Sequence, residues 1–199
     1  IKVLNPDVNE SYLNFTSNTE GNIRFGLGGI KGVGEAAVDA ILKERKANGL
    51  YKDIYDFFER VNLSACNKKT IENLALSGAF DCFPDVKREH FLAATIKGDS
   101  VLDILIRYGN KVQSEKELSA NSLFGDMSEA MIAKPALPEV ESMSSSELSN
   151  REKDLVGIYL SAHPLDDYYV VLNYVCNAEV GQLNDEEFLA QSEGKNLLV

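Results

Sequence analysis

"GGIKGVGEAAVDAIL", residues 28–42, sets four glycines into seven positions and then enters a helix-forming run. Glycine costs roughly 0.5–1 kcal/mol relative to alanine wherever the chain must be ordered. A tight turn, a close contact or an anion must offset that cost. The stretch reads as helix, turn, helix, with the turn written Lys31-Gly32-Val33-Gly34. Both Gly32 and Gly34 can take positive φ, which would turn successive backbone N–H groups outward together. The helix that follows offers its own unsatisfied N–H groups and the positive end of its dipole at the same place. That combination is an anion site for a phosphate, with no side chain in the way. Ile30 and Val33 would hold the turn in the core, leaving Lys31 free for a second charge contact. The plainer alternative is a helical corner that uses glycine for close packing.

A degenerate copy follows. "IENLALSGAFDCF" carries a helix, then Ser77-Gly78-Ala79-Phe80, then a further helix expected after Pro84. Its entering helix begins Asn67-Lys68-Lys69. Two cations at a helix start oppose the dipole by roughly 0.3–1 kcal/mol each, and an anionic partner would reverse the sign. Screened surface lysines are the alternative.

Outward from these turns the chain is mainly helical. Residues 35–49 place Ala37, Ile41 and Leu42 on one face and end at Gly49. Residues 53–62 turn Ile54, Phe57, Phe58 and Val61 inward, and Asn67 caps residues 67–80. Residues 85–98 and 100–112 are expected to be helical. Residues 114–143 are polar and low in periodicity, the pattern of a flexible linker. Ser144 and Glu147 have the spacing of a capping box for a helix near 145–160. An extended or β lead-in occupies the first residues. Composition thus divides the chain into a lead-in (1–19), a helical region punctuated by glycine (20–112), a linker (113–143) and a segment opening a further domain (144–199).

The 199 residues carry a net charge of −11. Residues 20–110 hold 13 basic and 13 acidic side chains, whereas residues 111–199 hold 6 and 16. This argues against gripping nucleic acid by bulk charge, but a neutral module can still touch a few phosphates. No run approaches the roughly 20 apolar residues that span a bilayer, and the first residues lack a signal-peptide pattern. The missing initiator Met suggests a piece of a longer chain. Cys66, Cys82 and Cys176 fit no zinc or disulfide spacing, so free thiols in a reducing cytoplasm are expected.

"NPDVNES", "NIRFGLGGIKGVGEAAVDAIL", "LALSGAFD" and "EKDLVGIYLSAHPLDDY", in this order, resemble the alpha subunit of bacterial DNA polymerase III. The resemblance implies that residues 1–19 close the fingers region and 20–112 form a tandem helix-hairpin-helix domain on duplex DNA. Residues 144–199 would lead into an oligonucleotide-binding barrel. It implies DNA contacts at Lys31, Gly32, Val33, Gly34, Lys68, Lys69, Ser77 and Gly78, without sequence preference. It also implies a sliding-clamp motif at Leu123 and Phe124, and other replicative subunits as partners. The family motif begins with Gln where this chain has Ala120. The family's magnesium-binding palm aspartates lie outside these residues, so no catalytic residue, cofactor or metal is expected here, although the parent protein would be a DNA-directed DNA polymerase.

Other chemistry is less well supported. Some repair glycosylases place a catalytic lysine just after such a hairpin, where this chain has Glu35 and Ala36, so the nucleophile is missing. His90 and His163 stand in no metal or triad spacing, and Asp166-Asp167, being adjacent, do not face one another on a helix. Two alternatives stay open: an acidic helical scaffold for protein partners, and a helix-hairpin-helix repair protein.

Overall fold

The computed structural model describes residues 1–95, 98–121, 132–162, 165–194 and 196–199. These divide into a larger unit, Ile1–Ser161, and a smaller one, Ala162–Val199. The lead-in is held by strand pairing. β1 (Val3–Leu4) lies parallel to β3 (Ile23–Arg24), and β2 (Thr16–Ser17) antiparallel to it, in the order β1-β3-β2. The buried Ser11 hydroxyl donates to the Phe25 carbonyl at 2.7 Å, fixing the loop between β1 and β2 to the chain that enters the hairpin.

The helices begin where capping chemistry allows. α1 (Glu35–Asn48) starts after Gly34 and stops at Gly49, burying Ala37, Val38 and Ile41. α2 (Ile54–Arg60) is capped by Asp53, whose carboxylate accepts the Asp56 N–H at 2.7 Å. α3 (Lys68–Leu76) is capped by Asn67 through the Thr70 N–H at 3.0 Å. Such caps contribute about 0.5–2 kcal/mol each. The apolar faces meet around an aromatic column. Phe57 sits 4.9 Å from Phe80, and Phe80 stacks on Phe91 at 5.4 Å.

Two stretches depart from the sequence reading. Within 85–98, the described residues make only a 3-10 turn, Arg88–Phe91, and a bridge from Ala94 to Ser100. The Thr95 N–H donates to the Asp99 carbonyl at 2.8 Å, and Gly98 at φ +84° turns the chain back, so backbone bonding goes to a loop rather than a helix. Conversely, α4 (Val101–Asn121) runs well past residue 112. Its buried positions, Val101, Leu102, Leu105, Tyr108 and Val112, stop there; beyond them Gln113 bonds the Phe58 and Val61 carbonyls at 2.9 Å and Lys116 pairs with Glu59, polar contacts that carry no apolar signal. Good helix formers such as Gln113, Glu115 and Lys116 carry a solvated helix onward without apolar periodicity. Gly109 permits the α2–α4 crossing: a Cβ there would lie 2.4 Å from the Phe58 carbonyl oxygen.

Residues 132–143 are held within the larger unit. The Tyr55 hydroxyl donates to the Pro135 carbonyl at 2.7 Å, Lys134 pairs with Asp53 at 2.9 Å, and the Met143 N–H donates to Glu89 at 2.9 Å. α5 (Ser145–Val156) opens with the expected Ser144–Glu147 capping box, ends at Gly157 with φ +88°, and packs on α3. The smaller unit carries α6 (Tyr169–Tyr174) and α7 (Glu186–Gln191). Among the described residues no helix is long and apolar enough to cross a membrane.

Candidate nucleic-acid interface

The first hairpin is a 3-10 turn (Leu27–Gly29), a two-residue reversal at Lys31-Gly32 and the start of α1. Ile30 and Val33 are buried on either side of the reversal, as expected, while Lys31, Gly32 and Gly34 are exposed. The glycines do different work. Gly32 holds φ +78°. Gly34 does not take positive φ: it sits at φ −79°, ψ 155°, as the N-cap of α1. Its value is the absence of a side chain, since a Cβ there would meet nothing within 4 Å.

With no side chain to cap α1, its first donors stay open. Among the described residues, the backbone N–H groups of Gly32, Gly34, Glu35 and Ala36 make no hydrogen bond within the chain, whereas Ala37 and Val38 donate to the Gly34 carbonyl. The Val33 N–H is used internally by the Ile30 carbonyl at 3.1 Å, so Val33 serves the turn through its buried side chain and offers no donor. The Lys31 N–H is likewise taken, by the Leu155 carbonyl of α5 at 2.9 Å, but its side chain is free to reach outward. Glu35 stands in the first turn of α1 and suits the dipole, though it opposes an approaching phosphate.

Sequence reasoning missed the residue that sets this turn. Asn73, 5% exposed on α3, donates from Nδ2 to the Lys31 carbonyl at 2.9 Å, and the Thr70 hydroxyl reaches the Gly32 carbonyl at 3.5 Å. A Cβ at Gly32 would lie 2.5 Å from Asn73 Nδ2. The available signal was a lone amide on the otherwise apolar face of α3. This contact brings the start of α3, with Lys68 and Lys69, beside the hairpin. Both lysines are exposed but partnered: Lys68 with Asp103 at 2.7 Å, and Lys69 with Glu72 at 2.9 Å. Exposed pairs of this kind are worth about 0–1 kcal/mol, little enough for a phosphate to displace.

Ser77 and Gly78 lie at the other end of α3, about 13 Å along its axis, and the structure corrects their expected role. Both are buried. The Ser77 hydroxyl donates to the Leu74 carbonyl at 2.8 Å, and the Gly78 N–H to the Ala75 carbonyl at 3.0 Å. Gly78 keeps the positive φ of a hairpin glycine, +89°, but Arg88 covers it: a Cβ there would lie 2.4 Å from Nη2. No α-helix follows this turn, so no open helix start supplies donors. Burial alone would ease the proton off Arg88; its hydrogen bond to Asp81, and the charges of Asp81 and Glu152, hold the guanidinium above its ordinary value. Leu123 and Phe124 lie outside the described residues.

Other reactive groups are built into the fold. Burial pushes the Cys66 thiol up to about 12, whereas Cys82 is exposed. The His90 ring is held between the Lys87 N–H at 2.8 Å and the Pro138 carbonyl at 3.1 Å. Among the described residues no cluster of three or more His, Cys, Asp or Glu side chains could hold a metal ion.

Comparison with known proteins agrees with this geometry. A family described as a helix-hairpin-helix motif matches residues 1–90. DNA polymerase III subunit alpha of Chlamydia trachomatis is 40% identical over 171 residues, covering 83% of this chain and 13% of that protein. The Haemophilus influenzae subunit is 30% identical over 184 residues, covering 92% and 15%. That of Neisseria meningitidis serogroup A is 34% identical over 187, covering 94% and 15%. The chain therefore matches about one seventh of the length of these curated relatives.

Proposed function

Since the chain belongs to the DNA polymerase III alpha-subunit family, we propose that its first hairpin holds duplex DNA by the phosphate backbone, without sequence preference. One phosphate sits on the N–H groups of Gly32, Gly34, Glu35 and Ala36, with Lys31 beside it and Lys68 and Lys69 reaching a neighbouring phosphate. Backbone donors at a helix start recognise charge and carry no base information, which is why no preferred sequence follows. The observation that carries this reading is the cluster of unpartnered N–H groups beside an exposed lysine, inside a matched helix-hairpin-helix motif.

The same proposal extends to the whole protein. In the cytoplasm it polymerises DNA with magnesium-binding carboxylates that lie outside these residues, alongside other replicative subunits. Leu123 and Phe124 dock a sliding clamp, so that weak hairpin contacts act at high effective concentration. Two apolar side chains in a polar run are suited to a partner's pocket, where each contributes about 1.5–3 kcal/mol before ordering costs.

Fluorescence anisotropy of a labelled duplex, titrated at several salt concentrations, tests the hairpin. One open hairpin and its neighbouring lysines neutralise two to three phosphates, giving a log–log salt slope of about −2 to −3. Lys31→Ala should make the slope shallower by about one, equally on duplexes of different sequence. An unchanged slope removes Lys31 from the interface, and binding that differs strongly between sequences removes the backbone mechanism.

A further inference from the structure

Beside the hairpin lies a surface that the phosphate contacts do not use. Gly28 and Gly29 are exposed and carry no side chain, three and two residues before Lys31. Next to them Phe15 leaves 52% of its surface in solvent. A Cβ at Gly29 would lie 3.6 Å from the Phe15 ring, so the ring borders the bare glycine backbone. The ring is also held in place. Its edge-on contact with buried Phe25 has centroids 4.5 Å apart at 67°. The loop that carries it is tied to the hairpin approach by the Leu27 N–H to the Tyr12 carbonyl at 2.8 Å, and by Gly28 N–H to the Leu13 carbonyl at 3.0 Å. Tyr12, exposed in the same loop, already faces the Arg45 guanidinium at 5.1 Å, whereas no such cation stands over Phe15 among the described residues.

We infer that Phe15 and the Gly28-Gly29 backbone form an apolar platform for the deoxyribose next to the hairpin-bound phosphate. The occupant follows from continuity: the strand whose phosphate sits at Gly32–Ala36 continues past the turn, where the exposed Gly28-Gly29 backbone and the half-exposed Phe15 ring lie side by side. A sugar presents C–H groups to an aromatic face, and a ring already ordered by Phe25 loses little freedom on contact. Glycine at 28 and 29 lets Leu13 and Phe25 pack against the turn, since a Cβ there would lie 2.7 Å from Leu13 Cδ1 or 2.9 Å from the Phe25 ring, and so seats Phe15 and its loop against the turn. This inference rests on the hairpin reading above, and it adds a contact of a different physical kind: apolar, and therefore insensitive to salt.

That difference makes it testable apart from the hairpin. The chain has eight tyrosines but no tryptophan, so Phe15→Trp creates a single tryptophan on the platform, excited at wavelengths where tyrosine does not absorb. In the 199-residue chain its emission should shift or quench as duplex DNA is added, saturating along the same curve as duplex anisotropy. Phe15→Ala should weaken duplex binding about threefold to tenfold while leaving the salt slope unchanged. Trp emission that stays constant while anisotropy reports saturation overturns the platform and leaves the hairpin standing. So does a Phe15→Ala chain that binds as tightly as the original. Failure of the unmodified chain to bind duplex at any salt overturns both.

Discussion

Alanine at Gly32 and alanine at Gly34 should have opposite consequences, because the two glycines solve different problems. At Gly32 the backbone is left-handed, φ +78°, and Asn73 Nδ2 lies 2.5 Å from where a Cβ would sit. Holding an L-residue there costs about 1–2 kcal/mol. Moving Asn73 aside forfeits its hydrogen bond to the Lys31 carbonyl, about 0.5–1.5 kcal/mol more. The sum, about 2–3 kcal/mol, corresponds to roughly 5–10 °C in the melting temperature of a unit this size. At Gly34, φ is −79° and the space is open, so alanine is unstrained. A stiffer unfolded chain favours it by about 0.4–1 kcal/mol, and a poorer N-cap offsets a similar amount. Its methyl, however, stands at the mouth of the N–H cluster. Thermal unfolding followed by circular dichroism, paired with duplex anisotropy, separates the two: Gly32→Ala should melt low, whereas Gly34→Ala should melt as the parent does and bind duplex several-fold more weakly. If Gly34→Ala melts as low as Gly32→Ala, the strain is not where the backbone angles put it. If it binds duplex with full affinity, nothing approaches those donors.

Glu152→Ala should destabilise the larger unit by about 3–5 kcal/mol, since a fully buried carboxylate that accepts from Ser161 N–H and Oγ and faces Arg88 disappears; calorimetric melting measures the loss, and Glu152→Gln should recover part of it. Burial would raise the Asp53 carboxyl, but the Asp56 N–H and Lys134 outweigh it and hold it below its ordinary value. Its folded pKa thus lies under the unfolded one, so its contribution is fully present above the ordinary carboxylate range and lost as pH falls through the lower folded value. Urea unfolding across acidic pH should show that step in the parent chain and a smaller one in Asp53→Asn. Changing Leu123 and Phe124 together to alanine should abolish binding to a purified sliding clamp in surface plasmon resonance without lowering the melting temperature, while Ala120→Gln should strengthen it; a clearly lower melting temperature in the double variant would assign the pair to the fold.

Much of the helical framework is legible because local chemistry and burial agree. Asp53, Asn67 and the Ser144–Glu147 pair mark helix starts by their side chains alone, and Ile54, Phe57 and Phe58 recur at helical spacing. Legibility fails where neither signal exists. The second half of α4 has no apolar face, so its polar residues resemble a linker. The stretch after Pro84 has helical composition, but its backbone bonds go to a loop closed by Thr95 and Asp99. At the hairpin, glycine spacing identifies the turn without saying which glycine needs positive φ, because that depends on Asn73, 42 residues away in sequence. The burial of Gly78 depends on Arg88 in the same way.

Why one turn is open and the other closed comes down to α5. Leu155 and Glu152 stand three residues apart on it, a spacing that puts both on one face. The Leu155 main-chain carbonyl, near the end of α5, accepts the Lys31 N–H of the first turn, while Glu152 adds its charge at 3.8 Å to the Arg88 that Asp81 holds over Gly78 of the second. The two contacts have opposite effects on access. Leu155 takes the Lys31 N–H and steadies the reversal, while Gly32, Gly34, Glu35 and Ala36 stay unpartnered among the described residues. Glu152 neutralises a guanidinium that also bonds Asp81, and so seals the second glycine beneath a side chain no phosphate can readily displace: Arg88 is 10% exposed and held by two carboxylates. Two turns of similar sequence are thereby assigned different work by a helix more than 60 residues downstream of either. Loosening α5 through Glu152 should expose the Gly78 turn as well as lower stability, and the variant's DNA salt slope would then steepen relative to the parent chain.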